Sequence, residues 1–585
     1  MQKLTCFISA LLMLFCVTDL FAQNITVTGR VVDESGEPLI AVTVYEDGKT
    51  SNGTMTDIDG NYTLNVTSAK STIVFSCLGF TEVKETVGLR KSINVKLVEE
   101  KLSIDAAEVV SVGYGSVSRR DLTGSVSKVD MGELLKAPVT NFDQALTGKV
   151  AGVVVTTSDG AVGSEANITI RGNNSLTQSS APLYIIDGFP TESSMATALN
   201  SADIESIDIL KDASATAIYG ARGANGVIVI TTKQGVEGKP KVNFSSSWTV
   251  SHIANKAELM DGYEFVELQN EIFGLSGNTN SYIKPSEEDA ALGVEAYSLE
   301  DYRDQSMWND WQDAIYRTSL SQNYNISLSG GSKEAGSRYN ASLSVVDQNG
   351  IIVNSNFQRY QGKINFQQKL GKKVTIDLLA NYSRAITNGV TPTNAQQSSS
   401  ATGWLVYSVW GYRPVKPRSQ WEMDANGNFI NNDSGELIDE DVASSNDYRF
   451  NPAKTVRNEY RKTIVDYLNA NAGITWEIID DLKLKITGGY TINKRRREEF
   501  NGTQTYTGYE GSPSGKGING GIYWNDKTTW LNENTLTYTK RFNRKHNFNF
   551  LAGFTLQGET FDYKGTYATQ MTTESLGLNG LHTGS

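Results

Sequence analysis

Histidine is nearly absent: His252, His546 and His582 are the only three in 585 residues, and no two are near each other in sequence. That argues against a histidine-built zinc site and against a Ser-His-Asp triad, both of which need imidazole among other polar groups. Cysteine is as scarce. Cys6 and Cys16 fall in a leader expected to be removed, and a lone Cys77 makes no internal disulfide. Proline numbers 11 against 53 glycines, a balance that suits tight hairpins better than disordered linkers. Positive charge is also short. The 53 Lys+Arg face 65 Asp+Glu for a net charge of −12, and no basic run is longer than Lys494–Arg497, so nucleic acid is a poor partner. Beyond the leader no apolar run is long enough for a spanning helix. If the chain crosses a membrane, it does so as a β-barrel.

What is present begins with an export signal. Lys3 supplies the positive end, Leu4 to Val17 the apolar core, and Leu20-Phe21-Ala22 a cleavage site before Gln23, so residues 1–22 read as a signal peptide. The bulky Phe15 before Cys16 argues against a lipoprotein. Residues 23–100 carry short alternating runs (ITVTGRVV, LIAVTVYE, YTLNV, TIVFSC, SINVKLV) split by turns, the pattern of a β-sandwich. Asp57-Ile58-Asp59-Gly60 lacks the further ligands of a calcium loop and reads as an Asp-Gly turn.

Residues 101–120 change character, with a β-branched run at Ala107-Glu108-Val109-Val110-Ser111-Val112-Gly113. Residues 121–236 mix short helical and strand patterns, predicting a small α+β domain. Its centre is Ser201 to Gly235: a strand through Ile207, Ile209 and Leu210, a helix over Ala213–Tyr219 capped by Asp212, glycines 220, 223 and 226, and a buried strand Val227–Thr232. The glycines follow a helix and precede a strand, the reverse of a phosphate loop. Asp187, Glu205, Asp208 and Arg222 are expected in salt links within this domain or to a surrounding wall.

From residue 237 to 585 apolar and polar residues alternate, as in Val374–Tyr382 and Phe548–Leu556, which predicts transmembrane antiparallel strands. Nine such runs lie near 241–251, 319–331, 336–348, 357–369, 372–385, 462–477, 481–494, 527–541 and 545–558. Tight turns (Gly371-Lys372, Asp480-Asp481, Asn543–Lys545) alternate with long connections (Ser251–Arg317, Ala385–Lys462, Arg495–Lys527), the asymmetry of an outer-membrane barrel. An open nine-stranded sheet would show unpaired backbone to lipid, so the barrel is expected to be incomplete in this stretch.

Ser201–Gly235, SADIESIDILKDASATAIYGARGANGVIVITTKQG, resembles the end of the plug domain in SusC/RagA-type TonB-dependent outer-membrane transporters. NITIRG and PLYIIDGFP resemble other plug segments, and VTGRVVDESGEPLIAVTV with TDIDGNYTL resembles the carboxypeptidase-regulatory-like module that precedes such plugs. The resemblance implies a multidomain chain: sandwich, plug, then part of a transmembrane antiparallel β-barrel. It makes residues 107–113 the TonB box, a segment suited to joining another protein's sheet edge. Energy-coupled import follows as the expected function, with TonB and its ExbB/ExbD complex, a SusD-like lipoprotein, a glycan or peptide substrate, and outer-membrane lipid as partners. The place would be the outer membrane of a Gram-negative bacterium, with the sandwich in the periplasm. Neither cofactor nor catalytic residue is implied. Trp308, Trp311, Trp404, Trp410 and Tyr412 in the long connections are candidates for substrate contact, although rim aromatics also serve as lipid girdles. Two alternatives stand beside this: a siderophore or cobalamin receptor without a lipoprotein partner, and a secreted β-rich glycan-binding or hydrolytic protein.

Overall fold

The computed structural model describes residues 25–585 except 34–35, 78–79, 99–108, 113–114, 119–125, 137–140, 157–159, 165, 173–178, 192–198, 213–215, 278–281, 285–289, 292–295, 390–404, 416–450, 510–514 and 543–545. The chain divides into two compact units, one ending around Val109 and one running from there to Ser585.

In the first unit, the alternation read from sequence becomes two packed sheets. One has the order β4–β1–β7 (Asn61–Val66, Ile25–Val32, Val95–Lys96), the other β3–β2–β5–β6 (Lys49–Met55, Thr43–Glu46, Thr72–Ser76, Val83–Thr86). Every second residue of β4 is buried, and Tyr62, Leu64 and Val66 meet Val27, Val31, Val44, Ile73 and Phe75 in one core. Tyr62 packs edge-on against Phe75 with ring centres 5.3 Å apart. Asp57 turns the chain: its Oδ1 accepts from the backbone N–H of Asp59 and of Asn61, and Gly60 takes the positive φ of 77° that the turn requires.

Two strands, β8 (Val109–Val112) and β9 (Gly115–Ser118), pair with each other as a separate two-stranded sheet.

The second unit opens with the plug. Its five-stranded sheet has the order β10–β15–β16–β13–β14 (Val126–Lys128, Ile204–Leu210, Val227–Thr232, Leu183–Ile186, Phe189–Thr191), with β11 (Val153–Thr156) and β12 (Asn167–Ile170) as a separate ribbon. β16 is buried nearly throughout, as an unbroken apolar run in a central strand should be. Helices α1 (Met131–Leu134) and α2 (Phe142–Ala145) contribute Leu134 and Phe142 to the core beside Ile207, Ile209, Ile228 and Ile230. Of the expected helix over Ala213–Tyr219, residues 213–215 lie outside the described set; Thr216 is helical, its N–H donating to the Asp212 carbonyl at 3.0 Å, and a 3-10 segment follows over Ala217–Gly223, interrupted at Gly220 with φ 59°. The Asp212 carboxylate also pairs with Arg171.

Beyond the plug, nine strands form one antiparallel sheet in sequence order, β17 to β25. The first five are Gly238–Ser251, Ser319–Ser332, Ser337–Asn349, Asn356–Leu370 and Val374–Asn388, each 13–15 residues. The last four are Tyr460–Ile479, Leu482–Asn501, Asn519–Phe542 and His546–Ala568, each 20–24 residues. These outrun the expected ranges, and the connection read as Arg495–Lys527 shrinks to 502–518 because β23 and β24 stay paired as far as Asn501 and Asn519. Register puts Phe244, Ile326 and Leu343 side by side on one face, all of them exposed. The opposite face carries Asn325, Ser344 and Gln361, buried beneath the plug. Alternating pleats with an apolar outer and a polar inner face are those of a membrane barrel.

Candidate functional site

Where plug and wall meet, β20 supplies two cations. Arg359 and Lys363 lie four residues apart, hence on one face of the strand, and each side chain is only 2% exposed. Arg359 Nη1 donates to Asn141 Oδ1 at the start of α2, 3.2 Å away, and Lys363 Nζ donates to the Lys233 carbonyl at 3.4 Å. Plug acids complete the cluster: Asp203 is in the field of both cations and Asp187 in that of Lys363. Asp187 and Gly188 form the turn of the β13–β14 hairpin, with φ of 50° and 90°, the signature of an Asp-Gly type I′ turn. The Asp187 carboxylate accepts from the Thr232 backbone N–H (2.8 Å) and hydroxyl (2.7 Å). Burial pushes its pKa up, against the opposing pull of Lys363 and Thr232.

The hairpin's next residue, Phe189, sits where a side chain at Gly489 of β23 would be; a Cβ there would lie 2.8 Å from the ring. Gly163 of the plug likewise makes room for Phe357 of β20. Arg222, expected in a salt link, instead donates to Gln557 Oε1 of β25 at 2.9 Å. On β17 to β19 the wall is different. A cavity of about 830 Å³ separates plug residues such as Asn200 and Glu205 from a lining of Ser245, Ser247, Asn325 and Ser327. The plug is thus gripped by charge and notches at β20 and β23, and faces small neutral side chains at β17–β19.

A second cavity, about 820 Å³, is built from the long connections. Helix α3 (Gly262–Ser276) starts with reciprocal bonds between Asp261 and Glu264, a capping box. Its Phe265 and Leu268 line the cavity; helices α4 (Trp311–Ile315), α5 (Leu405–Gly411) and α6 (Pro452–Asn458) share a separate core that holds Trp311, Ile315, Val409 and Val456. Trp308, Trp311, Trp410 and Tyr412 all line this cavity, so the structure gathers four of the five aromatics; Trp404 lies outside the described residues. Their roles separate. Trp311 is buried, donates Nε1–H to the Arg413 carbonyl at 2.9 Å and packs edge-on against Tyr412. Trp308 packs on Gly262. Trp410, 57% exposed, is the ring presented to solvent.

A family model described as TonB-dependent Receptor Plug Domain matches residues 118–227, and one described as CarboxypepD_reg-like domain matches residues 27–111. TonB-dependent receptor P3 of Formosa agariphila is 32% identical over 538 residues, an alignment covering 92% of this chain and 48% of the relative. TonB-dependent receptor SusC of Bacteroides thetaiotaomicron is 33% identical over 504 residues, covering 82% and 47%. The solved RagAB peptide importer in its open-open state superposes with a TM-score of 0.65 at 28% identity, covering 82% of this chain and 52% of that one. The chain belongs to the SusC/RagA type of TonB-dependent receptors. It spans about half the length of the curated relatives it matches.

For a SusC/RagA-type receptor, the segment expected to meet TonB is placed in part. Val109, Val110, Ser111 and Val112 form β8, while Ala107, Glu108 and Gly113 lie outside the described residues. Sequence reasoning passed over Arg359 and Lys363. The signal was there: two cations spaced by four within a barrel strand must share the lumen-facing side once the apolar face is assigned to lipid.

Proposed function

We propose that this receptor imports a glycan or peptide across the outer membrane, energised by TonB with ExbB/ExbD and assisted by a SusD-like lipoprotein that caps the long connections. The observation that carries this reading is the plug itself, docked on the polar inner face of the barrel sheet through Arg359, Lys363 and the Asp187 hairpin. A plug tied by a few buried contacts is firm at rest and releasable under force. The β8–β9 ribbon, paired only with itself among the described strands, supplies a strand that TonB can take over by edge pairing. Substrate would first meet the Trp410 cavity.

The test is Val110→Pro in the full-length receptor. Proline removes one backbone donor and fixes φ near −65°, which breaks a ladder, whereas Val110→Thr keeps β-branching and the N–H. The proline variant should reach the outer membrane, bind substrate and fail to import it, while the threonine variant imports normally. Import by the proline variant at the wild-type rate would overturn the reading.

A further inference from the structure

Strand β25 changes its chemistry half-way along. From Phe548 to Leu556 its large apolar residues, Leu551 excepted, are even-numbered: Phe548, Phe550, Phe554 and Leu556, all exposed on the lipid side. The odd-numbered side faces the plug, because Gln557 accepts from plug Arg222. Beyond Gly558 the pattern inverts. The even positions become Thr560, Asp562, Lys564 and Thr566, and the odd ones carry Phe561, Tyr563 and Tyr567.

A barrel strand needs roughly 9–11 residues to cross the hydrocarbon, and β25 has 23. Residues past Gly558 therefore stand clear of the membrane, consistent with the outward rung Lys494–Asp526–Asp562. Aromatic girdles face lipid. Phe561 and Tyr563 share the odd-numbered face with Gln557 and so face the lumen, which sets them apart from girdle residues.

Register sets them in rungs with polar neighbours from β23 and β24: Asn493–Lys527–Phe561 and Arg495–Asn525–Tyr563. The next rung brings Arg497 over the Tyr523 ring, 4.8 Å from its centre, with the Tyr523 hydroxyl donating to Glu499 at 3.0 Å. Lys527 pairs with Glu559 at 2.9 Å. The side-chain oxygens of Asn493 and Asn525 are buried with no hydrogen-bond partner among the described residues.

We propose that these two rungs form an oligosaccharide-binding wall on the lumen side of the projecting strands. The ligand chemistry follows from the surface. Two exposed rings about 7 Å apart along one strand offer flat faces for the C–H side of a pyranose. The flanking amide, ammonium and carboxylate groups supply donors and acceptors for its hydroxyl edge.

The proposal rests on the import reading and narrows its substrate class. The experiment uses the purified full-length receptor and four neutral hexasaccharides (α-1,4-glucan, β-1,4-glucan, β-1,4-xylan, α-1,6-mannan) beside a mixed hexapeptide pool, with calorimetric binding as readout. At least one hexasaccharide should bind, and Phe561→Ala with Tyr563→Ala should weaken it about 10-fold or more, a loss of about 1.4 kcal/mol. The double variant Phe561→Tyr, Tyr563→Phe should bind as wild type, and so should the outward control Phe554→Ala. Heat-modifiable migration checks that each variant is folded. Absence of hexasaccharide binding, unchanged binding in the alanine variant, or a loss confined to the peptide pool would overturn the wall. Energised peptide uptake insensitive to these substitutions would sink the wall and leave import standing. Hexasaccharide binding without energised uptake would do the reverse.

Discussion

Two carboxylates, one buried in the sandwich and one half-buried in the plug, are held in opposite ways. Glu46 of the sandwich is 3% exposed and accepts hydrogen bonds from Asn52, Thr67 and Ser71. Burial alone would raise its pKa, but those bonds together bring it from 4.5 down to about 2. Asp187 of the plug accepts hydrogen bonds from Thr232 and faces Lys363 across the interface, and burial pushes its pKa up from 3.8. A carboxylate satisfied within its own domain locks that domain. One whose charge is balanced from a neighbouring element is stable only while the two stay together. The first suits a module that must persist, the second a plug that must move.

The sharpest way to break that contrast is Lys363→Met in the full-length receptor. It leaves Asp187 and Asp203 facing a wall without this countercharge, and removing one partner of a buried charge pair costs about 3–5 kcal/mol. Limited proteolysis of the plug should therefore quicken strongly, and adding Asp187→Asn should restore part of the protection. Glu46→Gln should destabilise the sandwich by about 1.5–3 kcal/mol, the range for hydrogen bonds to a charged group, seen as an earlier urea transition in that unit while plug proteolysis stays unchanged.

Gly489→Val tests the notch that receives Phe189, and overpacking of this kind costs about 1–3 kcal/mol. Plug protection should fall, and Phe189→Ala should relieve the clash. Acidification separates the two carboxylates by sign. Glu46 stability is fully present above pH 4.5 and is lost as pH falls toward 2. For Asp187 the docked plug binds the proton more tightly than the free one, so docking should strengthen as pH falls through the raised pKa toward 3.8. Proteolysis of sandwich and plug measured from pH 6 to 3 should move in opposite directions. The smallest effect belongs to the neutral wall: Ser327→Ala on β18 should change plug protection by less than about 0.5 kcal/mol.

Much of the architecture was legible in the chain. Val27, Val31, Tyr62, Leu64 and Val66 alternate because one face of each strand must be dry, and the barrel strands betray themselves by the same period of two. Gly60, after Asp59, announced its turn. For the Ala213–Tyr219 region, composition pointed to helix ahead of Gly220, but not to the tightening into a 3-10 segment from Ala217 or to the pairing of Asp212 with Arg171. Four of the aromatics of the long connections line one cavity, yet composition cannot tell Trp311, sealed against Tyr412, from the exposed Trp410.

By itself, then, the sequence determined the order of modules, the nine barrel strands and the apolar face of strands such as Val374–Tyr382, since all of these follow from local periodicity and turn chemistry. Only the tertiary structure decided which distant polar groups meet. Arg359 and Asn141 are 218 residues apart in sequence, and Lys363 and Lys233 are 130 apart. No local rule links such positions. They come together because the sheet's register carries β20 beneath the plug, and the same register aligns Phe561 and Tyr563 with the polar rungs of β23 and β24.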